Sequence, residues 1–592
     1  MRSFRRRTLL FLSPFLFFSC LTAAPVRESE IPGLDEATLV RLEKLLAEDE
    51  VFSVLQDLTT LERENPDRWN GEYEDLRGRT ERRLEDRLSG EEEKEEWARA
   101  LSLFRALQAV KGEELYTRDA EQSLMLKEAE ALFQTGEVIP SLVSFARVLE
   151  YPPVNPDLLL LWVERARVEG HRALVTQIIG YLESRGEPVP PDLAEWEAQK
   201  PATGELMSGT VTVWVNRGIK LEQGMGYADR VIGSGFFIDK RGYLITNYHV
   251  ISSEVDPKYK GYSRLFIRLP GSGNDRIPAE VVGWDPVFDI ALLKTVYDPG
   301  YVYSFKENES YRAGDTIYAI GSPAGLENTI TSGIVSATGR RLLEMGDSLQ
   351  VDVPINRGNS GGPLLNPQGE LVGVVFAGIE QFEGINFAIP SFWIAPRIPS
   401  FYQGGKQELP WLGLSLYEGK QGLEIMYVFP GSPAARGGLA PGDLLKTLAG
   451  SEIRTLRDAQ QRLLSLEGQP LIRLTWQRKE DRQEGLLAPS ARPGNPLEDA
   501  LSKDTLEGWV VPFFGMILES TGGRDYVIRN LYPGFPADET GLSVDDPLTI
   551  YKWTYQEDPG VLLMQLRVKK RKAGFMESVI QLGNYSRAGN LL

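Results

Sequence analysis

The sequence predicts a multidomain chain: a helical N-terminal unit, then an all-β barrel or sandwich, then one small domain present in two copies. Three observations carry this. From about Pro25 to Lys200, Glu/Arg/Leu-rich stretches place apolar residues at three- and four-residue spacing, the signature of amphipathic helices. Around residue 205 the texture changes to glycines, β-branched residues and alternation, as in Val211-Thr212-Val213-Trp214-Val215, and short strands bounded by turn signals run to about Ile389. Beyond them, Pro430-Gly431-Ser432-Pro433-Ala434, Gly438-Leu439, Asp443 and Leu445 recur as Pro533-Gly534-Phe535-Pro536-Ala537, Gly541-Leu542, Asp546 and Leu548, at a constant offset of 103. An internal duplication explains this most economically.

At 592 residues the chain is long enough for about four domains of ~150 residues, each able to bury a core. Its 65 Lys and Arg against 83 Asp and Glu give a net charge of -18, which repels phosphate backbones and argues against nucleic-acid binding. Only two histidines, His171 and His249, and one cysteine, Cys20, are present. No Cys/His zinc site and no disulfide framework can be built from them, and no metal or cofactor is expected. Nor does any phosphate-binding loop of the G-x-x-x-x-G-K-[ST] type occur.

The N-terminus reads as an export signal, residues 1–24. Arg2, Arg5, Arg6 and Arg7 precede an apolar run, Leu9 to Phe18, too short to span a bilayer. Phe17-Phe18-Ser19-Cys20 resembles a relaxed bacterial lipobox, in which Cys20 would be lipidated and would anchor the chain to a membrane; the alternative is cleavage after Ala24. Either reading places the protein outside the cytoplasm, in the periplasm or cell envelope, working without ATP.

The helical unit is assigned to residues 25–204. The acidic run Glu91 to Glu96 marks a helix start or a solvated face. Gly136 and Gly170, 34 apart, sit between helical stretches, and Pro153 and Pro188 close the second helix of each pair. The period resembles a tetratricopeptide (TPR) unit, so the domain could recruit a protein partner or act as a spacer. His171 stands in a polar turn and reads as an exposed surface residue. Tyr402 to Gln407 and the stretch from Asp481 to Glu507 read as linkers.

The sharpest chemical signal is Gly358-Asn359-Ser360-Gly361-Gly362-Pro363. A serine among glycines sits on a tight turn with its hydroxyl exposed, and the N–H groups of Gly358 and Ser360 can converge on an oxyanion. The pattern also fits the G-x-S-x-G elbow of α/β-hydrolases, but that fold needs a histidine after the serine, and none follows Ser360. The order left is His249, an aspartate, then Ser360. His249 closes the strand pattern Tyr243-Leu244-Ile245. Asp289 opens the apolar run Ile290 to Leu293, where a carboxylate has reason to be if it fixes the imidazole tautomer; Asp285, in Gly283-Trp284-Asp285-Pro286, reads as a turn residue.

Gly233 to Ile238, Thr246 to Ile251, Asp289 to Lys294, Ala319 to Pro323, Thr329 to Ser336, Ile355 to Pro363 and Asn386 to Pro390, in this order, resemble the HtrA (Deg-type) serine proteases. The resemblance spans residues 205–400. It implies a chymotrypsin-like double β-barrel, a trypsin-like protease domain with the triad His249, Asp289 and Ser360. It also implies that the duplicated units, residues 408–480 and 509–592, are α+β PDZ domains. Trp411-Leu412-Gly413-Leu414 then matches the first PDZ loop that receives a peptide carboxylate. The second copy departs, with Phe514-Gly515-Met516 in the loop, Asp545 in place of a glycine and Pro547 interrupting the strand pattern, so packing or assembly competes with peptide binding there. The uncharged Pro354, six residues before Ser360 and at the base of the primary pocket in this fold, predicts cleavage after small or medium aliphatic side chains. The expected function is an envelope serine endopeptidase for unfolded or damaged proteins, assembled as a homotrimer. The competing reading is a catalytically silent peptide-binding chaperone or scaffold on the same fold.

Overall fold

A computed structural model describes residues 36–592 apart from 223–224, 274, 307–310, 323–328, 356–357, 379–383, 467, 557–559, 571–575 and 586–588. The signal segment with Cys20 lies outside the described residues.

The N-terminal third is helical. It comprises α1 (Glu36–Ala47), α2 (Val51–Glu64), α3 (Gly71–Glu93), α4 (Trp97–Lys111), α5 (Arg118–Gln134), α6 (Val138–Val148), α7 (Pro156–Glu169), α8 (Arg172–Ser184) and α9 (Pro191–Ala198). Helical periodicity is the cause. In α3, Tyr73, Leu76, Thr80, Leu84 and Leu88 form one buried stripe, and Asn70 caps the helix by accepting the N–H of Glu72 at 3.0 Å. Two hairpins, α5–α6 and α7–α8, turn at Gly136 and Gly170, both at positive φ. The acidic run joins two helices: Glu91 to Glu93 finish α3, and Glu96 is the cap position at which α4 starts, with Glu91 held by Lys94 at 2.9 Å. His171 is also not exposed. It is 6% accessible and caps α8, its Nδ1 accepting the N–H of Leu174 at 3.3 Å. The segment around Val302 and Ser304 folds over it from the next domain, where Ser304 accepts the N–H of Ala173 at 2.9 Å.

Two six-stranded barrels follow. In the first, β1 (Thr210–Glu222), β2 (Met225–Asp239), β3 (Tyr243–Thr246), β4 (Arg264–Arg268), β5 (Ile277–Asp285) and β6 (Ile290–Thr295) run in the order β5-β4-β1-β2-β3-β6, closed by β5–β6 pairing. Inward Val211, Val213, Val215, Phe237, Leu244 and Leu293 fill it. In the second, β7 (Thr316–Gly321), β8 (Thr329–Arg340), β9 (Ser348–Val351), β10 (Pro363–Leu365), β11 (Leu371–Gly378) and β12 (Asn386–Pro390) close in the order β10-β11-β12-β9-β8-β7. This is the expected double barrel.

The expected linkers are built into the fold. Gly405–Lys406 pairs in parallel with Gly283 and Trp284, Gln407 is buried, and the Tyr402 hydroxyl donates to Asp239 at 3.1 Å. Asp481–Leu487 is a strand of the first C-terminal unit, Ser490–Ala491 pairs with Pro410–Trp411, and Pro496–Lys503 and Leu506–Phe514 are helices with buried apolar faces. Polarity hides these elements because each buries only part of its length: Gly485 to Leu487 of the strand, and Pro496, Leu497 and Ala500 of the first helix.

The duplication is structural. In the first unit Phe429 N–H donates to Gly413 O and Ile425 N–H to Asp443 O; in the second Tyr532 N–H donates to Gly515 O and Ile528 N–H to Asp546 O. Asp545 takes the positive φ of Gly442, at 67° against 91°. Pro547 opens a strand, Pro547–Gln556, instead of interrupting one.

The helical unit grips the first of these units. Gln56 Nε2 donates to Pro433 O at 2.6 Å while its Oε1 accepts Ala488 N–H at 2.8 Å. Arg63 lies over the Trp476 ring at 4.8 Å and donates to the Gly437 and Glu484 carbonyls.

Candidate active site

The first barrel supplies the imidazole and the acid. Strand β3 ends at Thr246, and a helix over Tyr248–Val255 carries His249 in its first turn. Asp289, just before β6, has φ of 54°, the left-handed region that aspartate tolerates better than most residues. That conformation turns both ends of the residue toward the 247–249 segment. The Asp289 carbonyl accepts Tyr248 N–H at 3.1 Å and Asn247 Nδ2 at 2.9 Å. Its carboxylate accepts the His249 backbone N–H at 2.8 Å and faces ring Nδ1 at 2.7 Å. With Nδ1–H directed at the acid, Nε2 is left as a proton acceptor.

The Asp289 side chain is 18% exposed and that of His249 47%. Partial burial pulls the imidazole pKa down, but the hydrogen bond and charge of Asp289 outweigh it, so the net value lies above that of an ordinary histidine. Asp285 takes the structural role expected of it. Fully buried, it accepts the N–H groups of Val287 and Phe288 and pairs with Arg397 at 3.1 Å.

The second barrel supplies the serine loop before β10. Ser234 of β2 ties it down: its N–H donates to Ser360 O at 2.7 Å, and its hydroxyl donates to Gly358 O at 2.6 Å while accepting Ser322 N–H at 3.0 Å. Gly361, at φ of 86°, allows the approach, since a Cβ there would lie 2.3 Å from Ser234 O and 2.5 Å from Thr246 Oγ1. The loop is thereby pressed against the strand end that leads into His249. Among the described residues, the N–H groups of Gly358 and Ser360 and the Ser360 hydroxyl donate to no other group, and the imidazole of His249 bonds Asp289 but not Ser360. Catalytic hydrogen bonds are often long without substrate. Pro354 is exposed, between β9 and Gly358. Ser234 is the residue that sequence reasoning passed over as an anchor, although it stands in the Gly-Ser-Gly that was singled out.

In the first C-terminal unit Trp411, Leu412 and Leu414 are buried, and Gly413 has φ of 79° with Ser432 so close that a Cβ would overlap it at 2.1 Å. This turn directs the N–H groups of Gly413 and Leu414 to one point, as an anion-binding nest does.

Barrel pair, acid–imidazole pair and glycine-framed serine define the class of trypsin-like peptidase folds, here followed by two PDZ-like units. Residues 233–374 match the trypsin-like peptidase domain family, and residues 497–586 match the TP0546 family PDZ domain. A putative serine protease HhoB of Synechocystis is 34% identical over 266 residues, 40% of this chain and 62% of that protein. A probable periplasmic serine endoprotease, DegP-like, of Rhizobium meliloti is 32% identical over 343 residues, 53% of this chain and 65% of that protein. A solved structure of the HtrA-type protease AlgW with a tripeptide is 27% identical, with a TM-score of 0.42, covering 50% of this chain and 98% of that one. The chain thus spans just under two thirds of the length of these two relatives. The matched segments are similar to a trypsin-like peptidase domain and to a PDZ domain, and the two relatives are named as serine proteases.

Among the described residues no helix is long and apolar enough to cross a membrane, and no cluster of His, Cys, Asp or Glu could hold a metal ion.

Proposed function

We propose that the chain is an exported, periplasmic serine endopeptidase that hydrolyses peptide bonds of unfolded or damaged proteins without ATP. The observation that carries this is the two-point grip of Asp289 on His249, together with the ties that hold the glycine-framed serine loop against Ser234 and Thr246, at the strand end before His249. His249 Nε2 takes the Ser360 proton as the hydroxyl attacks the substrate carbonyl, and the C–N bond breaks as His249 returns that proton to the leaving amine. Water then repeats the cycle on the acyl-enzyme. The N–H groups of Gly358 and Ser360 hold the oxyanion; losing one such donor typically costs about 10²–10³ in rate. The names of the relatives support the periplasmic location. Pro354 offers no charge to pair with Lys or Arg, so aliphatic side chains are preferred at the cleaved bond, and equal cleavage of Arg and Val peptides would contradict this.

The Trp411–Leu414 loop captures a peptide end, and assembly is as a homotrimer through the protease domain. For the TPR-like helical domain, the buried bonds of Gln56 favour a brace that fixes the first PDZ unit over a free partner-recruiting arm. Casein degradation by the intact chain and by Ser360→Ala tests the central claim: loss of degradation supports the protease, and unchanged degradation supports the silent-scaffold reading.

A further inference from the structure

Residues Gly589–Leu592 lie beyond the last strand of the second PDZ unit, Met576–Tyr585. They form an added strand on Leu414–Gly419 of the first unit, antiparallel, with Leu591 opposite Ser415. Leu592 N–H donates to Leu414 O at 2.8 Å, and Leu416 N–H donates to Asn590 O at 3.0 Å. The two N–H groups of the nest, Gly413 and Leu414, both donate to the Leu592 main-chain oxygen, at 2.8 and 3.0 Å.

Side chains complete the fit. Leu592 is fully buried and belongs to the core that also holds Leu412, Leu414 and Leu416. Leu591, equally buried, joins the cluster that links Trp411, Met426 and Phe429 of the first unit to the core of the second. Asn590 Nδ2 donates to Ser415 Oγ at 2.7 Å, and Gln460 of the facing helix, Leu456–Ser465, donates to Gly589 O at 3.0 Å. Main-chain pairing on one side and a helix on the other is the geometry of a peptide bound by strand addition.

We propose that Gly589–Leu592 is an internal ligand of the first PDZ groove, which an incoming peptide must displace. This rests on reading Trp411–Leu414 as a peptide-receiving loop. The occupant also defines the class of competing ligand: an extended peptide with a leucine-like side chain at the position of Leu592 and an amide or hydroxyl-bonding residue two positions before it. Because the segment is tethered, its effective concentration is of millimolar order. A free peptide that binds the open groove at about 10 μM would then bind the intact chain about 100-fold more weakly.

The test is fluorescence polarisation of a labelled Gly-Asn-Leu-Leu peptide with a free carboxylate. It is titrated with the intact chain, with a variant lacking residues 589–592, and with Leu592→Asp, which keeps the chain length if the shorter variant folds poorly. The proposal predicts at least tenfold tighter binding to both variants than to the intact chain. Equally tight binding to all three overturns it while leaving the groove a working peptide site. Binding to none of the three removes the groove reading itself, and the internal ligand with it.

Discussion

Asp289 holds His249 at two points, its carboxylate accepting the backbone N–H at 2.8 Å and meeting ring Nδ1 at 2.7 Å. The first contact fixes where the helix of His249 begins, and the second fixes which ring nitrogen is free. Asp289→Asn keeps the size of the side chain but offers Nδ1 an ambiguous partner, so the wrong tautomer becomes populated. The expected loss is on the order of 10⁴ in kcat with little change in melting temperature. Steady-state kinetics on a chromogenic aliphatic peptide, paired with a thermal melt, checks both.

The same contact sets the pH profile. Asp289 raises the pKa of His249 above 6.5, against the opposing effect of burial. The base works only when neutral, so kcat/KM should climb with pH and reach half its plateau above 6.5. Removing the acid in Asp289→Asn should move that midpoint down. A pH–rate profile of the intact protein with its midpoint below 6.5 would contradict the assignment.

His171 provides the opposite case. Its burial depresses the pKa to about 4, and the ring is needed unprotonated as the cap of α8. A depressed histidine pKa contributes stability that is present above the unfolded value near 6.5 and lost as pH falls toward 4. The span corresponds to about 3 kcal/mol. His171→Asn retains a capping acceptor and should flatten stability between pH 7 and 4.5, measurable by urea denaturation. With only two histidines in the sequence, NMR titration should show one ring titrating near 4 and the other above 6.5.

Gly361→Ala should abolish the proposed peptidase activity through the backbone. The added methyl meets Ser234 O and Thr246 Oγ1 at 2.3 and 2.5 Å, and the residue sits at φ of 86°. The serine loop must move from the strand end before His249. Loss of at least 10²-fold in kcat, with destabilisation of about 1–3 kcal/mol, is expected from kinetics and denaturant melts.

Gln56→Leu removes two buried bonds and leaves Ala488 N–H without that partner, while Pro433 O keeps the Gly437 N–H at 2.8 Å. Destabilisation of about 1–3 kcal/mol is expected, with faster hydrogen exchange at Ala488.

How much of this was readable beforehand follows from how local each signal is. The acid–imidazole pair is legible because chemistry restricts it to few residue types: there are two histidines, and only His249 closes an apolar strand pattern, ahead of an aspartate that opens another. The two C-terminal units are legible because Gly438 and Asp443 mark turns that recur at Gly541 and Asp546. Burial of His171 was not legible, since the residues packed on its neighbours Gly170 and Ala173, Val302 and Ser304, come from the next domain. Tyr402 to Gln407 looked like a linker because its role, an edge strand beside β5, needs only two residues. The seating of Leu592 was hidden for a related reason: strand addition is mostly main-chain bonding, and it leaves little trace in composition.

The central claim is that Ser360 is a nucleophile activated by His249. Purified protein treated with a serine-reactive fluorophosphonate, digested and mapped by mass spectrometry, tests it most directly. The account predicts one labelled residue, Ser360, with labelling lost in His249→Ala. Labelling at another residue, or undiminished labelling of Ser360 without the imidazole, would contradict it.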